Sequence, residues 1–297
     1  MKKDFLTLLD LNSNAIEKLL KRAATLKKER RLGHLPYRLR GKTLAMLFEK
    51  SSTRTRVSFE IAMRELGGGT VSLERSSSQI GRGESYGDTA RVLSRYTHGI
   101  LVRTYGHSIA EEIAREASIP VVNGLTDLAH PCQLLADLMT VRECKRGKVK
   151  VAYVGDGNNM ANSWIHAAIV LQFPLSIATP QGYEPAAEVV QKIPKSSKII
   201  LTNDPIEAVR GADVVNTDTW FSMGQEVTKE KREVFRPYQL NQSLLSQATR
   251  DAVVLHCLPA HRGEEITDEV IDGPQSRVWD QAENRLHVQK AILERLL

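Results

Sequence analysis

The sequence predicts an α/β protein of two domains, each a mainly parallel sheet flanked by helices. Three observations predict it. Short apolar runs of strand type alternate with helix-period segments through the first half of the chain. The same alternation restarts after a basic turn, KRGKVK (145–150). And 297 residues, at roughly 150 per domain, fit two cores better than one.

Taken in order, residues 13–31 read as a helix, opening at Ser13 or Asn14 and ending in the basic run KKERRLG, a solvated helix end. Thr43–Phe48 (TLAMLF) is a strand; the polar turn EKSSTRTR leads from it into a helix with apolar Val57, Ile61, Ala62 and Leu66, closed by Gly67–Gly69. Thr70–Leu73 is a second strand, 85–96 a helix, Gly99–Arg103 a third strand and Pro120–Asn123 a fourth. Pro131–Cys144 is expected as a long helix with Leu134, Leu135, Leu138 and Val141 on one side.

In the second half, strands are expected at 149–155, 175–178, 198–202, 213–218 and 252–257. Helices fall between them, through Trp164 to Leu171 and near 184–192 and 205–210. The domains are expected to divide as 1–145 and 146–297, with a terminal helix at about 281–297 packing back on the first.

Composition narrows the function. With 41% hydrophobic and 26% charged residues, the chain is neither disordered nor low in complexity. Its 41 Lys and Arg exceed 35 Asp and Glu, a net +6 that suits nucleic acid or a small anionic substrate. A nucleic-acid module would bind with strong salt dependence, but aromatics are only 5% and no RRM, KH or zinc-finger pattern occurs. Three cysteines, Cys132, Cys144 and Cys257, form neither a disulfide framework nor a CxxC zinc site. Asp10 interrupts the N-terminal apolar run, and Gln172 and Pro174 break the longest greasy stretch. A cytoplasmic protein without membrane spans is expected.

The chemistry concentrates in EKSSTRTRVSFE (49–60). A helix N-terminus leaves backbone N–H groups unpaired and carries positive dipole charge, so it attracts anions. Ser52, Thr53 and Thr55 add hydroxyls, and Arg54 a bidentate fork; Arg54 and Arg56, two apart, point to nearly opposite sides of a helix, so only one of them can face the same phosphate. A cap and a charged turn explain any one of these residues, whereas the cluster indicates a phosphate site. It lacks GxxxxGK[ST], so it is no nucleotide P-loop. His130-Pro131-Cys132-Gln133 opens a helix, with His130 able to donate to a carbonyl oxygen and Gln133 one turn on, although a lone His-Pro is more often a plain cap. Arg103 ends a strand, where open α/β sheets bind ligands. VAYVGDGNN (151–159) has no third glycine at the dinucleotide spacing; Asn158 and Asn159 suit an amino-acid backbone instead. Asp218 ends another strand and can pair with an ammonium group, and Cys257 ends a buried-type one.

Together SSTRTRVSFE, HPCQ, GDGNN, DTWFSMGQE and HCLP, in this order over nearly the whole chain, resemble the aspartate/ornithine carbamoyltransferase family, in its ornithine branch. The resemblance implies an active site in the interdomain cleft and transfer of a carbamoyl group from carbamoyl phosphate to the δ-amine of L-ornithine, or to a related amine such as putrescine or an acylated ornithine. It implies that Ser52, Thr53, Arg54 and Thr55 hold the phosphate and that Arg103, His130 and Gln133 contact the carbamoyl end, with Arg285 of AENR a late arginine of the site. Gln79 corresponds to a residue contributed to a neighbouring subunit, which implies a homotrimer or a multiple of trimers. Asn159, Asp218, Ser222 and Met223 correspond to ornithine-binding positions, and Cys257 and Leu258 to the loop over the side-chain amine. Arg54, Arg103, His130 and Cys257 are the candidate catalytic residues. No metal, organic cofactor or nucleic-acid partner is implied.

Overall fold

The computed structural model describes residues 3–50, 52–75, 79–221 and 228–297. They form two compact units, Met1–Ala136 with Asn284–Leu297, and Asp137–Glu283.

In the first unit, α1 (Ser13–Arg31) has the expected bounds, but its cap lies one residue before the expected Ser13 or Asn14. Asn12 is the cap: its extended backbone lets Oδ1 accept from Ala15 N–H at 2.9 Å, which answers one of the four orphan donors. Strand β1 (Thr43–Phe48) is buried from Leu44 onward, as a central parallel strand covered on both faces must be. The sheet runs β2 (Gly69–Glu74), β1, β3 (Gly99–Arg103), β4 (Val121–Leu125), with every pairing parallel. Helix α2 (Thr53–Glu65) connects β1 to β2, and α3 (Tyr86–Tyr96) connects β2 to β3.

Two features differ from the sequence reading. A helix, α4 (His107–Glu116), fills the β3–β4 crossover where none was expected; it buries Ala110, Ile113 and Ala114 at helical spacing. Strand β4 runs to Leu125 rather than stopping at Asn123, because its pairing with β3 slips between Val102 and Arg103: Val102 faces Asn123, but Arg103 faces Leu125. The residue skipped is Gly124. A Cβ there would lie 3.1 Å from the Leu101 side chain, 3.3 Å from Val102 O and 3.4 Å from Thr55 Cγ2. The bulge therefore leaves Thr55 its space.

The passage from the first unit to the second lies within α5 (Pro131–Cys144). This helix was expected to bury one side, but nearly all of its residues through Val141 are buried, including Gln133, Asp137 and Thr140. A helix so enclosed shows no amphipathic stripe.

The second unit is a five-stranded parallel sheet in the order β7 (Ile199–Thr202), β6 (Leu175–Ala178), β5 (Val151–Val154), β8 (Val214–Thr217), β9 (Val253–His256). The chain leaves β5 to build outward on one side through β6 and β7, then returns to build β8 and β9 on the other. That reversal opens a crevice beyond the carboxyl ends of β5 and β8, where ligands of doubly wound sheets bind. Helix α6 (Asn159–Leu171) follows β5, and the short α7 (Ala187–Val190) and α8 (Pro205–Val209) follow β6 and β7. Between β8 and β9 lie α9 (Lys229–Phe235) and α10 (Gln242–Leu245); α11 (Asp268–Ile271) follows β9. The last helix, α12 (Val278–Leu296), is longer at its start than expected, and its stretch from Asn284 belongs to the first unit.

Candidate active site

Each unit carries one cluster of chemically capable side chains. In the first, β1 runs into α2 through the STRTR turn. Ser52 caps the helix: its hydroxyl oxygen accepts from Thr55 N–H at 3.2 Å, and its O–H remains free to donate. Thr53 is exposed on the opening turn, and Arg54 is half-buried. Thr55 is fully buried, and its hydroxyl oxygen accepts from two guanidiniums, Arg285 Nη2 at 2.8 Å and Arg103 Nη1 at 3.3 Å. Arg56 turns the other way, to Glu60 at 3.3 Å and Glu74 at 2.9 Å.

His130 lies beside these arginines. Burial first, and then the positive charges of Arg285, Arg103 and Arg54, hold its pKa well below the ordinary 6.5. It is therefore a neutral imidazole at pH 7, able to donate one hydrogen bond. Its turn is fixed from beneath. Thr126 and Ala129 exchange hydrogen bonds, Asn123 Nδ2 donates to Leu6 O at 2.9 Å, and the Cys132 thiol donates to Asn123 O at 3.4 Å. Burial pushes that thiol up to about 12, so Cys132 is a packed thiol rather than a reactive one. Gln133 is buried in the first turn of α5.

Helix α12 is held by two part-buried ion pairs and a buried hydrogen bond, which fix Arg285. Lys290 donates to Glu65 at 2.7 Å, Arg22 grips Glu294 at 2.6 and 2.8 Å, and Lys27 donates to Asn284 at 2.8 Å. Gln79 opens an exposed 3-10 turn, Gln79–Arg82. Gly81 of this turn lines a cavity of about 700 Å³ together with Ser52, Thr53, Arg56 and Arg75.

The second cluster sits at the sheet crevice. The Cys257 thiol donates to Asp218 Oδ1 at 2.8 Å, and Asn158 Nδ2 donates to Asp218 Oδ2 at 2.9 Å. Asn158 also caps α6, its Oδ1 accepting from Met160 N–H and from the Tyr153 phenol. It is thus a structural residue, while Asn159 begins the helix half-buried. Leu258 takes a left-handed backbone (φ 59°), unusual for a branched residue and held by its N–H donating to His256 Nδ1 at 2.9 Å. That bond leaves His256 Nε2 to donate to the buried carboxylate of Glu265 at 3.1 Å. Although the donor atoms of Asp218, His256 and Cys257 lie within 4.8 Å of one another, both His256 nitrogens are committed to hydrogen bonds, so the set reads as a polar network and not a metal centre. Ser222 and Met223 lie outside the described residues.

Sequence reading gave no role to Glu265, Gly157 or the Asn123 support. Gly157 has a steric reason: a Cβ would fall 2.3 Å from Glu184 C and 2.4 Å from Pro185 N. The second glycine of GDGNN serves close backbone packing, not a pyrophosphate.

Residues 3–143 match the family domain described as aspartate/ornithine carbamoyltransferase, carbamoyl-P binding domain, and residues 147–296 match its Asp/Orn binding domain. The chain is 55% identical over 302 residues to an ornithine carbamoyltransferase of Syntrophus aciditrophicus, with both chains covered completely. Among solved structures it is similar to ornithine carbamoyltransferase from Pyrococcus furiosus, with TM-score 0.94 and 49% identity over 99% of this chain and 96% of that one. It is also similar to the anabolic ornithine carbamoyltransferase of Campylobacter jejuni, with TM-score 0.93 and 42% identity over 100% and 99% of the two chains.

Proposed function

We propose that this chain, which belongs to the aspartate/ornithine carbamoyltransferase family, transfers the carbamoyl group of carbamoyl phosphate to the δ-amine of L-ornithine, releasing L-citrulline and phosphate. The observation that carries the reading is the first cluster. Two buried guanidiniums meet on one hydroxyl at a helix N-terminus, beside a histidine kept neutral. Such an array matches a phosphate dianion joined to a polarised carbonyl.

Arg54 and the amides opening α2 take the phosphate oxygens, with Ser52 and Thr53 completing that end and Gln133 at the carbamoyl end. The carbonyl oxygen lies toward Thr55, Arg103 and His130. A neutral δ-amine attacks the carbonyl carbon and the new C–N bond forms. Negative charge collects on the oxygen, where these fixed donors stabilise it. The C–O bond to phosphate then breaks and phosphate leaves with the electron pair, its charge met by Arg54 and Arg285. Losing one such donor typically costs about 2.7–4 kcal/mol of barrier. Ornithine's amine, with a reference pKa near 10.4, must lose a proton first. Asp218 orients the diamino acid with Asn159, Ser222, Met223 and Leu258. Cys257, its own thiol proton passed to Asp218, takes up this first proton as a thiolate. Departing phosphate takes the second, which the nitrogen releases once the C–N bond has formed.

The active assembly is a homotrimer in which Gln79 serves a neighbouring subunit's phosphate site. Its support is an exposed Gln79 and the apolar Val57 and Val71, about half exposed, on α2 and on edge strand β2. Citrulline made here feeds arginine biosynthesis, and the reverse reaction serves arginine breakdown. The compartment is the cytoplasm, in keeping with three free cysteines. Among the described residues no helix is long and apolar enough to cross a membrane.

The test is a citrulline assay on the purified chain with carbamoyl phosphate and, in parallel, ornithine, putrescine and an N-acetylated ornithine. Ornithine is expected to give by far the highest kcat/KM. A higher value with putrescine or acetylornithine would reassign the acceptor.

A further inference from the structure

Lys50 follows β1 by two residues and stands just before the Ser52 cap, yet it has no part in the chemistry above. Its side chain is nearly fully buried, and its ammonium forms an ion pair with the Asp127 carboxylate. The same ammonium lies 4.2 Å from the centre of the Tyr105 ring, a cation–π contact. Tyr105 and Asp127 are themselves joined, Asp127 N–H donating to Tyr105 O at 2.9 Å. Tyr105 comes two residues after Arg103, and Asp127 three residues before His130. One ammonium therefore ties together the turns beyond β1, β3 and β4.

These contacts supply what the backbone does not. The sheet order is β2, β1, β3, β4, so no ladder bond joins β1 to β4. The β3–β4 ladder, moreover, slips between Val102 and Arg103, at the end where the site lies. Side chains must then fix how far the phosphate turn stands from the carbonyl donors. We propose that Lys50 is a positioning residue: held by Asp127 and Tyr105, it sets the span between the phosphate grip at 52–55 and the carbonyl donors Arg103 and His130. The inference rests on the carbamoyl phosphate reading above. A short ligand with two polar ends is held productively only when both grips stand at its own length. A misplacement of about 1 Å can cost a hundredfold in rate.

Lys50 does not serve as a phosphate ligand, although it borders the same cavity as Ser52 and Thr53. Its charge is answered by Asp127, its ion-pair partner among the described residues, so the pair adds nothing to the net charge beside the phosphate. Removing both charged groups therefore leaves the local net charge as it was and removes only the clamp. Removing Asp127 alone adds one net positive charge beside a dianion, which favours phosphate binding, yet it also releases the clamp. A clamp and a phosphate ligand thus give opposite signs when Asp127 is removed.

The test is steady-state citrulline formation by the full chain carrying Asp127→Ala, or Lys50→Met and Asp127→Ala together. Carbamoyl phosphate is varied at saturating ornithine, with inorganic phosphate as the competing inhibitor. Both variants are expected to lower kcat/KM for carbamoyl phosphate by about ten- to a hundredfold, with most of the loss in kcat. The phosphate inhibition constant reports one end of the site alone. It stays within about twofold of wild type in the double variant and does not rise in Asp127→Ala. The Asp127 side chain is more than half exposed, so its variant alone carries the test should the double variant fail to fold. Two results overturn the proposal. One is a kcat/KM for Asp127→Ala within about twofold of wild type or above it. The other is a phosphate inhibition constant that rises in step with the carbamoyl phosphate KM. If wild type forms citrulline normally, either result leaves the functional reading intact; if wild type forms none, that reading fails first.

Discussion

Arg285 Nη2 donates to Thr55 Oγ1 at 2.8 Å, joining the last helix to the first turn of α2 across 230 residues. The threonine hydroxyl also accepts from Arg103, so one oxygen sets the direction of two guanidinium forks. Hydrogen bonds to charged groups contribute about 1.5–3 kcal/mol each when buried. Thr55→Val keeps the shape and removes the acceptor. It is expected to lower kcat/KM for carbamoyl phosphate by about ten- to a hundredfold, measured by steady-state kinetics at saturating ornithine. An unchanged value would mean the arginines are positioned without Thr55.

His130 gives a prediction in pH. Its folded pKa lies well below 6.5, so between the two values the unfolded chain binds the extra proton. Stability from this residue is fully present above about pH 6.5 and is lost as the pH falls below it, by at most about 1.4 kcal/mol per pH unit. His130→Asn should show a flatter fall of Tm between about pH 6.5 and 5 than wild type, and citrulline formation at pH 7 should drop by about a hundredfold or more. Parallel Tm curves for the two proteins would show that His130 is not held neutral by the fold.

Much of this was legible in the sequence. Strands β1, β3 and β6 and helices α1 and α5 follow from apolar runs, caps and proline placement, and Ser52, Arg54 and Asp218 from their positions at element ends. What was not legible depends on distant partners. The bulge at Gly124 reflects the space that Thr55 needs, and it carries β4 past the expected stop. Glu265 sits in an ordinary polar stretch, and only the fold sets it against His256. Helix α4 went unread although Ile109, Ala110, Ile113 and Ala114 recur at helical spacing; a crossover between parallel β3 and β4 requires an element there.

Gly157 tests the claim that the second unit's turn is built by close backbone approach. Gly157→Ala places a methyl on Glu184 and Pro185 backbone, where nothing flexible can yield. Overpacking of this kind costs about 1–3 kcal/mol. A Tm lowered by several degrees (about 2–8 °C) is expected, with the ornithine KM raised and the carbamoyl phosphate KM little changed. A variant with wild-type Tm and kinetics would contradict the packing.

Cys257 donates its thiol proton to Asp218, so removing the thiol leaves that carboxylate one hydrogen bond short. Cys257→Ala is expected to lower kcat by about a hundredfold and to shift the acidic limb of the pH–rate profile. A profile superimposable on that of wild type would take Cys257 out of proton transfer and leave Asp218 as orienter alone.

In the proposed reaction the turn after β1 grips the phosphate of carbamoyl phosphate while Arg103 and His130 receive its carbonyl oxygen. A crystal structure with a non-hydrolysable phosphonate analogue of carbamoyl phosphate tests it most directly. The phosphonate is expected at the α2 N-terminus, bonded by Arg54 and by amides of residues 53–55, with the carbonyl oxygen within hydrogen-bond distance, about 2.6–3.2 Å, of His130 and Arg103. Density for the analogue away from these residues would contradict it.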